Sequence, residues 1–523
     1  MPKLASSLLL FPVGMIFLSA AHAALGADCA SLAKAALPGT TIQSAEMVTA
    51  GTLKTPDGED LTGLPAFCRV RGMLRPSEDS AIRFEVWMPA NDWNHRLLGT
   101  GNGGFAGSIY YGQMAGVLKR GFATAGTDTG HQAEAEDASW AYRHPEKVKD
   151  FGYRGLHLTT ETAKAMVNRF YGQSEQKAYF DGCSDGGREA LMEAQRYPAD
   201  YDGILAGAPA NDWSHMLSAG LDVSRTVNSD PAGYISSLKL PAITRAVLAH
   251  CDAQDGLKDG ILNDPRTCAF KPETLLCTGE DSLECLTAPQ VRSLKKLYAG
   301  GSDSKGRLLF PGQMPGDEAG AWKDWITGSG PGVSNYVQGY FRYMVESDPS
   351  WNALTADLDT AAAKAETETA EALDATNPDL AAFVKRGGKL ILYHGWNDPA
   401  ISPLNTIHYY GQVQQATAGV DAAVRLYMAP GMTHCVGGPG PSALGQLGIQ
   451  TTGSEPWGLF AALEGWVESG TRPGAVIATK YGPEKKPVMT RPVCPFPQEA
   501  RYQGSGDPDS AGSFACGAAE AGR

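Results

Sequence analysis

Apolar residues fall on alternate positions from Ile82 to Met88, with Arg83 and Glu85 between them. A period of two marks a half-buried strand. Leu97 and Leu98 lie in a second apolar run, which passes directly into the loop Gly99-Thr100-Gly101-Asn102-Gly103-Gly104. Phe122 to Gly126 reads as a buried strand, whereas Ala163, Met166, Val167 and Phe170 carry helical spacing. Ala178-Tyr179-Phe180 is again strand-like. Arg188 to Arg196 reads as a helix with Ala190, Leu191 and Ala194 on it, and Gly203 to Ala206 as a strand. Strands that alternate with helices predict an α/β fold, a mainly parallel sheet covered on both faces.

From 211 to 380 the alternation stops. This stretch holds four cysteines, Gly-Pro turns and an Ala/Glu/Thr-rich segment from Ala361 to Ala372, and it reads as an inserted domain. The rhythm returns with strands at Lys389–Tyr393 and Val424–Met428. A helix follows, with Leu459, Leu463 and Trp466 on one face and Pro456 placed to start it. The expected division is a catalytic domain of 24–210 and 381–523 around an inserted domain of 211–380.

Composition narrows the class. Hydrophobic residues make up 43% and charged residues 19% of the 523 positions, enough for a large core and too little charge for a disordered acidic chain. A net charge of −13 argues against a nucleic-acid partner, because phosphate contacts need clustered Lys and Arg. Residues 1–23 read as a secretory signal peptide: Lys3, an apolar run from Leu8 to Leu18, and the small-x-small site Ala21-His22-Ala23. No later apolar run reaches the ~18 residues of a membrane span, so the exported chain is expected to be soluble, secreted or periplasmic. All ten cysteines follow the cleavage site. An even count in an oxidising compartment predicts disulfides, and no C-x-x-C pair supports zinc.

Gly182-Cys183-Ser184-Asp185-Gly186 matches G-x-S-x-G between a strand and a helix, the context of a nucleophile elbow. A serine hydroxyl is unreactive without a base. In this type of sheet the order along the chain is Ser, then Asp or Glu, then His. Asp398 and His434 each lie in a loop just beyond a strand, so Ser184, Asp398 and His434 are the expected triad. The Asp185 N–H is the expected first oxyanion donor, and Gly101 in the glycine loop the second. Contact between Ser184 and His434 would also bring Cys183 and Cys435 within disulfide range.

Gly-Cys-Ser-Asp-Gly-Gly-Arg at 182–188, Tyr-Asp-Gly-Ile-Leu-Ala-Gly-Ala-Pro-Ala at 201–210, Tyr-His-Gly-Trp-Asn-Asp at 393–398 and His-Cys-x-Gly-Gly-Pro-Gly at 434–440 resemble the tannase and feruloyl esterase family. That family also holds a bacterial hydrolase of mono(2-hydroxyethyl) terephthalate. The resemblance implies an α/β-hydrolase core with a large lid inserted after the strand containing Gly203. It implies the same triad and the bridge Cys183–Cys435. It further suggests the pairs Cys29–Cys68, Cys251–Cys268, Cys277–Cys285 and Cys494–Cys516. For the acidic loop from Cys251 to Ile261 it implies a structural calcium held by the side chains of Asp252, Asp255 and Asp259 and the carbonyls of Leu257 and Ile261, a hard-oxygen set.

The expected activity is hydrolysis of small aromatic acid esters, feruloyl, chlorogenate or galloyl, through an acyl-enzyme. Tyr336, Tyr340, Phe341, Tyr343 and Trp351 in the inserted domain suit flat aryl groups. Two other readings stand beside it. One is a hydrolase of terephthalate monoesters, for which Arg342 is the only arginine of that segment able to clamp a carboxylate. The other is a catalytically inactive, calcium-stabilised binding protein on the same fold.

Overall fold

The computed structural model describes residues 28–518, apart from 229, 329, 331 and 453–455. The leader read at 1–23 lies outside the described residues.

Nine strands form one sheet: β1 (Thr40–Val48), β2 (Phe67–Leu74), β3 (Ile82–Pro89), β4 (Arg96–Thr100), β5 (Ala123–Thr127), β6 (Lys177–Cys183), β7 (Gly203–Gly207), β8 (Lys389–Gly395) and β9 (Val424–Ala429). Their spatial order is β1-β2-β3-β5-β4-β6-β7-β8-β9. The first three strands run antiparallel and β3 pairs antiparallel with β5; from β5 onward all pairs are parallel. This is the α/β-hydrolase architecture, with the order reversal between β4 and β5.

Alternation within each strand splits the core in two. Leu97, Ala178, Ile204, Leu390, Leu392 and Leu426 face one apolar cluster, which α1 (Gly155–Tyr171) covers with Ala163, Met166 and Val167. Their neighbours Leu98, Tyr179, Leu205, Ile391, Tyr393 and Tyr427 face the other. A later helix, Gly458–Ser469, covers that second face with Leu459, Leu463 and Trp466. Both faces are buried, which is why the central strands read as continuous apolar runs rather than alternating ones.

The long excursion lies between β7 and β8, which are hydrogen-bonded neighbours. It leaves at Asn211 and returns at Ala375, whose N–H donates to the Asn211 carbonyl at 2.7 Å. It has its own apolar cluster around Ile243, Val247, Leu294 and Trp322. A second cluster joins it to the hydrolase core, where Phe105 and Phe151 meet Trp213, Leu221 and Tyr340. The bridges are Cys29–Cys68, Cys183–Cys435, Cys251–Cys268, Cys277–Cys285 and Cys494–Cys516, and they use every cysteine. Among the described residues no helix is long and apolar enough to cross a membrane.

Candidate active site

Ser184 sits at the junction of β6 and the next helix, α2 (Asp185–Arg196), with φ +67° and ψ −120°. A left-handed turn this tight leaves no room for side chains beside it. A Cβ on Gly182 would lie 2.5 Å from the Gly186 carbonyl oxygen. The elbow is bolted on two sides: Ser184 N–H donates to Gly207 O (3.0 Å) on β7, and Gly186 N–H to Asn102 O (2.8 Å) in the glycine loop.

The three side chains meet in one hydrogen-bonded chain. His434 Nε2 lies 2.9 Å from Ser184 Oγ, and His434 Nδ1 lies 2.8 Å from Asp398 Oδ2. Because Nδ1 faces a carboxylate it carries the hydrogen, and Nε2 is left as the acceptor for the serine proton. Asp398 is fully buried, and its Oδ1 takes the N–H groups of Ala400 (2.8 Å) and Ile401 (3.0 Å). Burial alone would push this carboxyl up. The His434 charge and the hydrogen bonds from His394 and His434 outweigh burial and hold it well below the usual carboxylate range. The Cys183–Cys435 bridge links the residue before the serine to the residue after the histidine.

Asp185 N–H is used by no hydrogen bond among the described residues, as an oxyanion donor requires. Gly101 does not fit that role, because its N–H donates to the Asp181 carbonyl at 3.1 Å. It is a close-packing position instead: a Cβ there would lie 2.8 Å from Gly186 Cα. The next N–H, that of Asn102, is also taken, by Glu189 Oε2 at 2.8 Å. The N–H groups of Gly103 and Gly104 have no such partner, and Gly104 lines the cavity beside Ser184. Asn102 pins the loop through Nδ2 to Ser108 O (2.7 Å) and Thr127 O (2.9 Å).

Two residues of the quoted motifs have roles at the site that the sequence reading did not assign. Arg188 is fully buried, donates to Asp185 Oδ1 (2.7 Å) and to the Gly152 and Phe151 carbonyls, and lies over the rings of Phe151 and Trp213. It turns the Asp185 side chain into the core while the Asp185 N–H stays free. His394, inside the Tyr-His-Gly-Trp-Asn-Asp motif, reaches the triad aspartate.

Ser184 opens onto a cavity of about 660 Å³ between the core and the inserted region. Of the five aromatic residues expected there, only Tyr336 lines it. Tyr340 and Phe341 are fully buried, and Trp351 stacks on Phe341; these belong to the lid's own packing. Tyr343 stands edge-on to Tyr142. The other aromatic walls come from separate segments: Trp213, Phe310 and Trp325. Trp325 stacks near Tyr336 and meets His434 edge-on at 5.0 Å. Arg342 donates to the Trp351 carbonyl (2.9 Å) and does not line the cavity.

In the acidic loop, Asp252 accepts from Gly260 N–H, Asp255 from Leu257 and Asn263 N–H, and Asp259 from Ile261 N–H. Asp259 also pairs with Arg491 at 2.6 Å. Burial, reinforced by the neighbouring carboxylates, raises Asp252 and pushes Asp255 up to about 6. The loop thus offers hard oxygens with excess negative charge, which fits calcium better than a transition metal. The three carboxylates are not drawn into a single tight cluster. Among the described residues, triads of ligand atoms within 4.8 Å of one another occur at Cys277/Asp281/Cys285, His157/Glu193/Asp200 and Asp212/His215/Asp374.

A serine, a histidine and an aspartate joined at the strand ends of an α/β-hydrolase sheet form the frame of a serine hydrolase. The chain belongs to the tannase and feruloyl esterase family, whose model matches residues 68–517. It is 42% identical over 528 residues to an uncharacterized esterase of Xanthomonas campestris pv. campestris, covering 94% of this chain and 92% of that one. It is 34% identical over 507 residues to a probable feruloyl esterase B-2 of Aspergillus flavus, covering 90% and 94%. The crystal structure of feruloyl esterase B from Aspergillus oryzae superposes with a TM-score of 0.87 at 32% identity, over 93% of this chain and 99% of that one. The protein is a carboxylic ester hydrolase.

Proposed function

We propose that this chain is an exported serine esterase that cleaves esters of phenolic acids, feruloyl, chlorogenate or galloyl, through an acyl-enzyme. The observation that carries the proposal is the unbroken Ser184–His434–Asp398 hydrogen-bond chain opening onto an aromatic-walled cavity. Ser184 Oγ attacks the ester carbonyl while His434 Nε2 takes its proton. Asp398 stabilises the imidazolium that forms. The tetrahedral oxyanion is met by Asp185 N–H together with the Gly104 N–H at the cavity wall, both left free by other hydrogen bonds. His434 then gives its proton to the departing alcohol, and a water activated by the same imidazole releases the acid.

The relatives named as probable feruloyl esterases support the aromatic acyl group. Export is supported by the complete pairing of the cysteines. Calcium in the 252–261 loop is proposed as structural, with Asp252, Asp255, Asp259 and the Leu257 and Ile261 carbonyls as ligands. It would neutralise the loop's surplus charge. A terephthalate monoester fits less well, since Arg342 is spent on Trp351. An inactive binding protein would have no reason to keep the serine and imidazole in hydrogen-bond contact.

Stopped-flow mixing with p-nitrophenyl ferulate tests the reading. An acyl-enzyme gives a burst of p-nitrophenol of about one per chain when deacylation is slower. Binding without any release of p-nitrophenol would contradict it.

A further inference from the structure

We propose that Glu189 is a positioning residue for the oxyanion: its side chain ties the glycine loop to the helix after the nucleophile and so fixes the Gly104 N–H relative to the Asp185 N–H. The inference rests on the serine-esterase reading above and adds to it a residue that does not touch the substrate.

The two donors come from separate segments. Asp185 opens α2, whereas Gly104 lies in the loop after β4. Their separation depends on how that loop is held against α2, and Asn102 carries the contact. Its carbonyl accepts from Gly186 N–H at 2.8 Å, and its N–H donates to Glu189 Oε2 at 2.8 Å. Both bonds run to α2, one to backbone in the first turn and one to a side chain a turn further on. On the far side of Gly104, Phe105 N–H donates to the Ala135 carbonyl at 2.7 Å. Gly104 is thus held between two pinned residues. It sits in the left-handed region at φ +59°, with the Ala135 carbonyl oxygen 2.4 Å from where a Cβ would stand. Of the bonds that Asn102 makes to α2, the one to Glu189 is the one a substitution can remove.

The charge of the pair favours this task. Asp185 and Glu189 stand one turn apart on α2, both buried. Each has an oxygen closed to water and without a hydrogen-bond partner, Asp185 Oδ2 and Glu189 Oε1. Arg188 donates to Asp185 Oδ1, which leaves Glu189 as the member that keeps a proton. Burial, and then the Asp185 charge, hold the Glu189 carboxyl well above the usual carboxylate range. As a neutral acid, Glu189 still accepts from Asn102 through Oε2. It places no negative charge behind the loop that meets the oxyanion, where a carboxylate would oppose the transition state.

Three variants of the native chain test this. Glu189→Gln is neutral, equally long, and keeps a carbonyl oxygen for Asn102. Glu189→Leu has no acceptor. Glu189→Asp keeps the carboxyl but falls one methylene short. Each is assayed with p-nitrophenyl ferulate, for melting temperature, and for inhibition by benzeneboronic acid. The boronic acid mimics the tetrahedral intermediate: Ser184 Oγ bonds to boron, His434 takes the serine proton, and the adduct is an anion. Removing an oxyanion donor outright costs about 10²–10³ in kcat. Displacing one should cost less, so Glu189→Leu and Glu189→Asp should lower kcat by about tenfold to a hundredfold, with KM within about threefold. Their inhibition constants for the boronic acid should rise by a similar factor, and Glu189→Gln should recover most of both losses. Folded Leu and Asp variants that match the native enzyme within about threefold in kcat and inhibition would overturn the inference. So would a Gln variant as impaired as Leu, a fall in melting temperature with boronic acid binding unchanged, or failure of both Leu and Asp variants to fold. A native enzyme that neither releases p-nitrophenol nor binds the boronic acid would overturn the serine-esterase reading instead.

Discussion

His394 Nε2 lies 3.1 Å from Asp398 Oδ2, the oxygen that also faces His434. Nε2 lies equally close to the Ile401 carbonyl, so it sits between two acceptors and must carry a hydrogen. Thr406 Oγ1 holds the other ring nitrogen at 2.8 Å, and the imidazole is fully buried. His394 therefore fixes where the Asp398 carboxylate points and draws off part of its charge. His394→Phe should lower kcat by roughly tenfold to a hundredfold, with KM nearly unchanged. With one donor gone, Asp398 favours the His434 imidazolium more strongly, so the acidic limb of the kcat/KM profile should move to higher pH. His394→Gln, which can restore an N–H, should recover part of the loss. A His394→Phe enzyme with wild-type kcat and pH profile would remove His394 from this role.

The Cys183–Cys435 bridge closes a loop of 252 residues between elbow and base. Replacing both cysteines by alanine should cost about 2–5 kcal/mol of stability. It should also lower kcat at temperatures where the protein remains folded, since small misplacements of nucleophile and base are expensive. Denaturant titration and kcat at 15 °C check the two parts. Unchanged kcat would mean the elbow and the histidine loop hold their positions without the bridge.

Much of this site is legible in the sequence because its parts sit where chain order and strand ends coincide. Ser184, Asp398 and His434 each follow a strand whose apolar run is plain, and a strand's end fixes the loop that follows it. What escapes the sequence is what depends on distant segments meeting. Gly101 sits in the expected loop, yet its N–H is claimed by Asp181 on β6, a contact between adjacent strands that spacing alone does not reveal. In the aromatic segment 336–351, rings that pack the lid and rings that line the cavity look alike in sequence. Tyr340 and Phe341 turn inward, while Trp213 and Trp325, far apart in the chain, supply walls. The edge strand β1 has no clean alternation because most of its residues remain partly exposed.

Asp181, on β6 just before the elbow, is fully buried; one oxygen takes Leu447 N–H at 2.6 Å and the other has no partner. Burial pushes its carboxyl up to about 7. The unfolded chain releases this proton near pH 4, whereas the folded one keeps it until about pH 7. Its contribution to stability is therefore full below pH 4 and is lost as pH rises to 7, on the order of 4 kcal/mol. Asp181→Asn stays neutral throughout and keeps an oxygen for Leu447. Any fixed cost of the amide is the same at both ends of the range. Relative to wild type, the variant should gain stability between pH 4.5 and pH 8. A difference in melting temperature that is equal at both pH values would contradict the burial argument.

Calcium removal should act through the inserted region's attachment. The 252–264 loop contacts the C-terminal segment through Asp259–Arg491 and through Asn263 Nδ2 to Ala500 O. A site held at 100 times its Kd contributes about 2.7 kcal/mol. Chelation should therefore lower the melting temperature, with kcat of the still-folded enzyme little changed. Native protein containing well under one calcium per chain, with a melting temperature insensitive to chelator, would count against the site.

That Ser184 attacks the ester is tested most directly by kcat of Ser184→Ala with methyl ferulate, alongside its melting temperature. Loss of a triad serine leaves oxyanion and binding contributions in place but removes several orders of magnitude of rate, so kcat should fall by about 10⁴-fold or more. The fold should survive, since Ser184 anchors its turn through backbone groups that alanine retains. A folded Ser184→Ala enzyme that keeps more than about a tenth of wild-type kcat would contradict the mechanism.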